Sequence, residues 1–393
     1  MERAMKTGTE RPLHIVMVSR DIGLFSGTAH TNTETQRRHL RYLELLRERL
    51  PSVELRVIVV GKSHKPAQEN LCASGLILYG LNGHKIFQGL KLLALLYRLQ
   101  SSARVAKLLL VTQVVYQEGV LTLAFAKLFG LRCVGQVHED IFHSSSHERQ
   151  QLSNFFSGLI LPLFSGVRVV SKYLEENIRQ RAPKLLVRSI PVAMELNEGE
   201  LSSQACASKV DRVLFVGRFS PVKNLEFWIN IATELKKLLP TTEFEWVGSG
   251  PLESKLFQQI TAAGLQNSFT LSGFLTGEEL KHAYQRASVF LLTSHSEGFG
   301  RVLVESLSYA VPVIAPRLPS TEFVIKDGVT GLLYDATDAR VTAGFVAGLC
   351  EKLITDPQLR VQMGERSRAD VLNRFSKQTL SRQWVDFLLE SAG

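Results

Sequence analysis

A chain of 393 residues with 45% hydrophobic and 21% charged side chains has the composition of a folded globular protein. It is too long for one ordinary core, so two domains are expected. The four cysteines, Cys72, Cys133, Cys206 and Cys350, stand far apart with no CxxC or His-rich pairing, which argues against a zinc site and for a reducing, cytoplasmic setting.

The net charge of +9 is unevenly placed: residues 1–190 carry 26 Lys and Arg against 14 Asp and Glu, and the remainder 20 against 23. A basic first half beside a slightly acidic second half suggests that only the first half meets something anionic. No RNP, zinc-finger or helix-turn-helix signature is present, so nucleic acid is set behind an anionic membrane surface or lipid phosphate as the partner. A merely solvated basic surface is the plain alternative. Residues 1–12 carry Glu2, Arg3, Lys6, Glu10 and Arg11 without an apolar run, so no signal peptide is expected. Of the longest uncharged runs, 155–167 is too short to span a membrane and 256–277 holds Gln258, Gln259, Gln266 and Asn267.

In chain order, residues 13–19, 53–61, 107–113, 132–138, 167–171 and 185–191 read as strands, with helical patterns at 32–50, 86–102, 117–129 and 172–180. In the helix 86–102, Ile86, Phe87, Leu90, Leu93, Ala94 and Tyr97 recur at helical spacing, with Lys85, Lys91, Arg98, Arg104 and Lys107 in and beside it. Most such stripes face a domain core, and that is the expectation; the alternative is an interfacial helix resting on anionic lipid. The polar stretch 192–209, with Gly199 and a Ser/Ala cluster, reads as the break between domains. Strands follow at 212–217, 243–248, 269–273, 288–293, 311–315 and 331–334, and residues 375–393 read as a final amphipathic helix. Near-continuous apolar strands alternating with helices, twice over, predict two doubly wound parallel-sheet domains.

Open parallel sheets bind ligands beyond the carboxyl ends of their strands, and the chemistry-bearing residues of this chain fall there. After the strand 288–293 come Glu297, Gly298 and Gly300, then a helix that Pro312 stops, with Glu305 just over one turn in. A helix that opens from a glycine-bearing loop aims free amides and a positive dipole end at an anion such as a diphosphate. Glu297 is placed to bond hydroxyls, and Glu305 is placed to face the same ligand. Gly217, Arg218 and Lys223 follow the strand 212–217, offering a planar fork and a point charge suited to a diphosphate. Gly248 and Gly250 follow the strand 243–248, where a plain turn is the simpler reading, and Glu322 sits at a helix start. His138 ends a strand of the first half. His14, inside the first strand, reads as structural, and His295 is left without a role.

With these residues in view, the chain resembles glycosyltransferase family 4, the retaining GT-B enzymes. "SEGFGRVLVE" matches the family's E-x7-E signature with Glu297 and Glu305, and "GRFSPVKNL" its G-R-x-x-x-x-K diphosphate segment. "VGSGPL" matches its next loop and "TEFVIKDGVTGLL" its E-x-x-x-x-G-x-x-G-L-L run, while "VGQVHED" and "VRVVSKYLEENI" look like its histidine strand and serine-bearing strand end. The resemblance implies a GT-B fold: an acceptor-side domain at 1–195, a nucleotide-sugar domain at 196–375 and a helix at 376–393 returning toward the first, with the active site in a cleft. It implies that Arg218 and Lys223 hold a diphosphate, Glu305 the ribose, and Glu297 sugar hydroxyls, with the amides around Phe299 and Gly300 on phosphate or sugar. His138 would lie near the bond being made.

No D-x-D motif is present, in keeping with the metal independence and the lack of a cofactor that the resemblance implies. Two departures are the lone Gly27, flanked by Ser26 and Thr28 where the family has a Gly-Gly pair, and "VAMEL" in place of N-G-V-D. The expected activity is retaining transfer of a hexose from a nucleotide diphosphate sugar to a hydroxyl acceptor. By charge and family habit, that acceptor is a lipid-linked cell-surface glycan precursor, met in the cytoplasm or at the inner face of the membrane. The rival readings are a sugar-nucleotide epimerase of the same fold and an inactive subunit of a polysaccharide assembly complex.

Overall fold

The computed structural model describes residues 12–20, 24, 33–61, 70–71, 75–81, 83–102, 107–115, 118–138, 159–191, 196–197, 199 and 211–393. Met1–Ala193 with Leu380–Gly393 form one compact unit, and Met194–Thr379 form a second. Most of the expected linker, the Gly27 loop, and Cys72 and Cys206 lie outside the described residues.

The first unit is built on an eight-stranded sheet in the order β3-β4-β2-β1-β5-β6-β7-β8. Its strands are β1 (Leu13–Ser19), β2 (Glu54–Val60), β3 (Asn70–Leu71), β4 (Leu76–Leu81), β5 (Lys107–Thr112), β6 (Arg132–Val137), β7 (Gly166–Val169) and β8 (Val187–Ser189). Every pairing is parallel except that of β3 with β4. The central strands are buried along nearly their whole length, as the apolar runs require of a sheet covered on both faces. Sequence reading misses β3 and β4: "LILYGL" carries Gly80 and follows Gly75, and only the lateral pairing with β2 makes it a strand. His14 sits opposite Glu54 in the β1–β2 register, with Nε2 at 3.8 Å from the carboxylate.

Helices α1 (Glu34–Arg49), α2 (Lys85–Ser102), α3 (Glu118–Leu128) and α4 (Lys172–Arg181) cover this sheet. A reciprocal box starts α1: the Gln36 amide donates to Thr33 Oγ1 at 3.2 Å, and the Thr33 amide to Gln36 Oε1 at 2.9 Å. Ser171 accepts from the Leu174 amide at 3.4 Å and so caps α4. The stripe of α2 does not face the core. Leu92, Leu96 and Leu99 are its buried apolar residues, with Gln88 also buried and Leu93 half-buried, whereas Ile86, Phe87, Leu90 and Tyr97 are exposed. The sequence offers apolar residues on two sides of this helix, and packing against β2, β4 and α3 takes the other side.

The last helix, α12 (Lys377–Ala392), belongs to this unit from Leu380 onward. Trp384, Val385, Phe387 and Leu388 join the core formed by β1, β2, β4 and β5. A Cβ on Gly166 would stand 2.6 Å from Ser391 Oγ and 3.0 Å from Phe387, so β7 can approach α12 only as glycine. Polar ties lock the helix end: Arg49 pairs with Asp386 at 2.5 Å, and Arg132 donates to the Ser391 carbonyl at 3.1 Å.

The second unit holds a six-stranded, wholly parallel sheet in the order β11-β10-β9-β12-β13-β14. The strands are β9 (Arg212–Val216), β10 (Glu243–Val247), β11 (Phe269–Gly273), β12 (Val289–Leu291), β13 (Val313–Pro316) and β14 (Gly331–Tyr334). Its helices include α5 (Leu225–Leu238), α6 (Glu253–Ala262), α7 (Gly277–Arg286), α8 (Arg301–Ser308), α9 (Pro319–Val324), α10 (Ala343–Thr355) and α11 (Pro357–Phe375). Trp228, Trp246, Phe244 and Phe269 form an edge-on aromatic cluster beneath α5. Among the described residues no helix is long and apolar enough to cross a membrane.

The packing of Trp384 gives a stability test. Its ring is buried in the first core, with the Arg168 guanidinium 4.7 Å above it. Trp384→Ala should lower the stability of the first unit by about 3–5 kcal/mol, read by urea unfolding. A loss under about 1 kcal/mol, the range of surface substitutions, would show that α12 is not part of that core.

Candidate active site

In the second unit the sheet is wound outward from β9, so the loops leaving β9 and β12 depart to opposite sides and leave a crevice at their carboxyl ends. The β9 loop runs from Gly217 through the turn Pro221–Lys223 to Asn224, which takes the left-handed conformation that starts α5. Thr293, just past β12, donates its hydroxyl to the carbonyls of Lys223 and Asn224 at 2.9 and 3.1 Å. The His295 amide donates to the Val222 carbonyl at 2.8 Å. These bonds tie the two loops together. Lys223 Nζ then lies 2.5 Å from Glu297 Oε1, and the Ser294 hydroxyl donates to the same oxygen at 2.7 Å. Arg218 is exposed and has no side-chain partner among the described residues.

Gly248 and Gly250 answer to packing. A Cβ on Gly248, whose φ is +136°, would stand 2.0 Å from the Gly217 carbonyl oxygen, and one on Gly250 would stand 2.4 Å from that of Phe219. The β10 loop therefore lies directly against the β9 loop, and the Gly217 and Phe219 amides donate to Val247 and Ser249 carbonyls. These glycines press the Arg218-bearing loop into its shape.

At the other side of the crevice, Gly300 takes φ +82° and starts α8 without a side-chain cap. The Arg301 and Val302 amides have no main-chain acceptor among the described residues, the first bonded amide being that of Leu303. The amides and the helix dipole thus present positive potential at the β12 loop. The Phe299 ring is buried against Phe323 and Phe375, so it anchors the loop and leaves only its main chain for a ligand. Glu305 accepts from the Tyr284 hydroxyl at 3.0 Å and lies 3.6 Å from Arg301. Burial, and then the Glu305 charge, hold the Tyr284 hydroxyl well above its ordinary pKa, so it stays a neutral donor. Glu322 is spent on a surface pair with Arg317 at 3.0 Å.

The first unit has its own polar pocket where the winding reverses between β1 and β5. A cavity of about 40 Å³ is lined by residues that include Ser19, Arg38, Gln113, Gln136, His138 and Arg168. Gln113 accepts from the Ser19 hydroxyl at 2.8 Å and from the Arg20 amide at 3.1 Å. Arg168 is buried and donates to the Ile190 and Pro191 carbonyls at 2.6 Å each and to Gln136 at 3.1 Å. Burial pushes its pKa down to about 10, which still leaves it charged at neutral pH. His138, one residue past β6, has a buried Nε2 with no partner. Burial, followed by the charges of Arg168 and Arg38, pushes its pKa down to about 4 against an opposing bond to the Gln113 main chain. The ring is therefore neutral at pH 7. Among the described residues no three His, Cys, Asp or Glu side chains are grouped to hold a metal ion.

Residues 201–370 match the family described as glycosyl transferases group 1. This segment is a group 1 glycosyltransferase domain. The chain is 30% identical over 166 residues to the 2-deoxystreptamine N-acetyl-D-glucosaminyltransferase of Niallia circulans, covering 42% of this chain and 41% of that one. It is 32% identical over 161 residues to the D-inositol 3-phosphate glycosyltransferase of Thermobifida fusca, covering 39% and 36%. The chain thus spans about two fifths of the length of these curated relatives. Among solved structures, the sucrose-phosphate synthase of Thermosynechococcus elongatus superposes with TM-score 0.73 at 18% identity, covering 97% of this chain and 99% of that one. Anabaena HepE in complex with UDP superposes with TM-score 0.71 at 17% identity, covering 96% and 99%. The fold is GT-B.

Within the group 1 domain the structure brings together Lys223, Glu297 and the start of α8, with Gly217, Arg218, Gly248 and Gly250 on the adjoining loops. Tyr284 and Ser294 were not found by sequence reading. Tyr284 lies 21 positions before Glu305 on a different helix, and no spacing rule links them. In the first unit, Gln113, Gln136 and Arg168 were likewise missed, since each reads as an ordinary strand or loop residue.

The environment of His138 can be tested by following its ring by NMR. A histidine held neutral by burial should titrate near 4 instead of 6.5. Because the folded pKa is the lower one, this group's contribution to stability is present above pH 6.5 and lost as pH falls from 6.5 toward 4. A midpoint near 6.5 would mean that the pocket is open to water.

Proposed function

We propose that the protein transfers a hexose from a nucleoside diphosphate sugar to an acceptor hydroxyl, with retention at the anomeric carbon. The observation that carries this reading is the meeting of Lys223 and Glu297 at 2.5 Å, on loops from two neighbouring strands, beside the uncapped start of α8. An arriving diphosphate competes with Glu297 for Lys223 and adds Arg218 and the Arg301 and Val302 amides. Glu297, relieved of Lys223, then accepts from sugar hydroxyls. Glu305, held by Tyr284, accepts from the ribose. In the first unit the neutral His138 offers Nε2 as an acceptor to a sugar hydroxyl.

The acceptor oxygen bonds the anomeric carbon as the bond from that carbon to the diphosphate oxygen breaks. The electron pair leaves with the diphosphate, and the acceptor proton passes to the leaving phosphate oxygen on the same face. Lys223, Arg218 and the helix start stabilise the charge that develops there, a role otherwise given to a divalent ion. A double displacement would instead make Glu297 the nucleophile, with only the Ser294 bond left on Oε1 once Lys223 turns to the diphosphate. UDP, present in the Anabaena HepE crystal, is the first nucleotide to test. We read the acceptor as a lipid-linked glycan precursor met at the cytoplasmic face of a membrane, a reading that the basic first half supports.

Arg218→Ala is the cleaner diphosphate variant because it leaves the Lys223–Glu297 pair intact, whereas Lys223→Ala also frees Glu297. Loss of a charge-assisted bond, typically about 1.5–3 kcal/mol, should lower turnover at least about tenfold in either variant. The assay is release or transfer of sugar from UDP-sugars. Wild-type rates in both variants would sink the diphosphate assignment, and an epimeric nucleotide-sugar product would replace transfer with epimerisation.

The two glutamates should separate by calorimetry with UDP. Glu305→Gln should weaken binding, because ribose is held in ground and transition states alike. Glu297→Gln should leave UDP binding unchanged or tighter, since Lys223 loses its competing counter-ion, while turnover falls. The opposite pattern would show that the roles are exchanged.

A further inference from the structure

The outer face of α2 has a composition that the donor site does not use. At about 100° per residue, Ile86, Phe87, Leu90, Ala94 and Tyr97 fall within one arc of about 100° that Ser101 joins at the last turn, Lys91 and Arg98 lie along one edge of it, and the buried Leu92, Leu96 and Leu99 lie on the opposite side. Ile86 is 70% exposed, Phe87 62%, Leu90 59% and Tyr97 58%. The neighbouring helix adds Leu128 at 78%. The two helices run side by side in the same direction, since a Cβ on Gly89 would meet Leu121 at 3.2 Å and the Tyr97 ring lies 5.9 Å from Phe129. From residue 70 to residue 117 the chain has no Asp or Glu and five Lys and Arg.

From these observations we infer that α2, with α3 beside it, is the face by which the protein rests on an anionic lipid surface. The apolar arc enters the headgroup boundary, and Lys91 and Arg98 at its edge meet lipid phosphates. A core helix has no second apolar face, and a solvated helix would carry polar residues on that arc. A second copy of the chain is a poor occupant, because a twofold contact would bring Lys91 and Arg98 toward their own equivalents. The helix lies in the interface plane and does not span it. This deepens the proposed reading by saying where a lipid-linked acceptor is met. It is tested without donor or acceptor, so its failure leaves the diphosphate and glutamate tests untouched.

The experiment is sedimentation of the full chain with vesicles of phosphatidylcholine alone or mixed equally with phosphatidylglycerol, at low and rising salt. Binding is expected only to the mixed vesicles, weakening as the Debye length shrinks. Lys91→Gln and Arg98→Gln should each reduce partitioning about fivefold. Phe87→Gln with Leu90→Gln should reduce it at least as much while leaving the urea unfolding midpoint unchanged, since both side chains are exposed and removing them leaves no cavity. If the wild-type chain ignores the mixed vesicles at low salt, the inference is wrong. It is also wrong if both sets of variants sediment like wild type, or if the chain binds soluble polyglutamate but no vesicle, which would assign the face to an acidic protein partner.

Discussion

A parallel sheet wound outward in both directions from one inner strand cannot close the gap between the loops that leave its two central strands. Right-handed crossovers force one loop to each face of the sheet. Nearly every functional group described above follows from that constraint. In the second unit the gap lies between β9 and β12 and receives Lys223, Glu297 and the start of α8. In the first unit it lies between β1 and β5 and receives Gln113 and His138.

What fills each gap differs in electrostatic character. The second unit pairs a cation with a carboxylate at the crevice, so these two charges neutralise each other. The first unit buries a guanidinium against carbonyls and an aromatic ring, and leaves a histidine nitrogen unpartnered beside it. Burial, and then the positive charge of Arg168, disfavour protonation of His138, so the ring offers a lone pair. Trp384 belongs to the terminal helix, which makes α12 part of the wall of the pocket as well as of the core.

Backbone proximity sets the shape of the loops at this crevice. The Gly217 carbonyl occupies the space that any side chain at position 248 would need, so the β10 loop serves as a backstop for the loop bearing Arg218. Phe299 acts in the same way from below, with its ring committed to the aromatic contacts with Phe323 and Phe375. The groups that this unit leaves at the crevice are therefore main-chain amides and a few charged side chains mounted on loops that are fixed by glycine and aromatic packing.

The sequence by itself determined the alternation of strand and helix, the two doubly wound units and the positions of the glycine-bearing loops. These properties follow from local periodicity and from where an apolar run ends. It also determined that Glu297, Lys223 and the start of α8 would lie near strand ends. Only the tertiary structure decided that Lys223 and Glu297 share one ion pair, because 74 residues separate them and strand order alone makes their loops neighbours. The same holds for Tyr284 beneath Glu305, for the strand Leu76–Leu81, and for Arg168 behind His138. For α2 the sequence supplied apolar residues on two sides, and periodicity cannot rank two apolar sides. Packing against β2, β4 and α3 chose Leu92, Leu96 and Leu99, and so left Ile86, Phe87, Leu90 and Tyr97 facing outward.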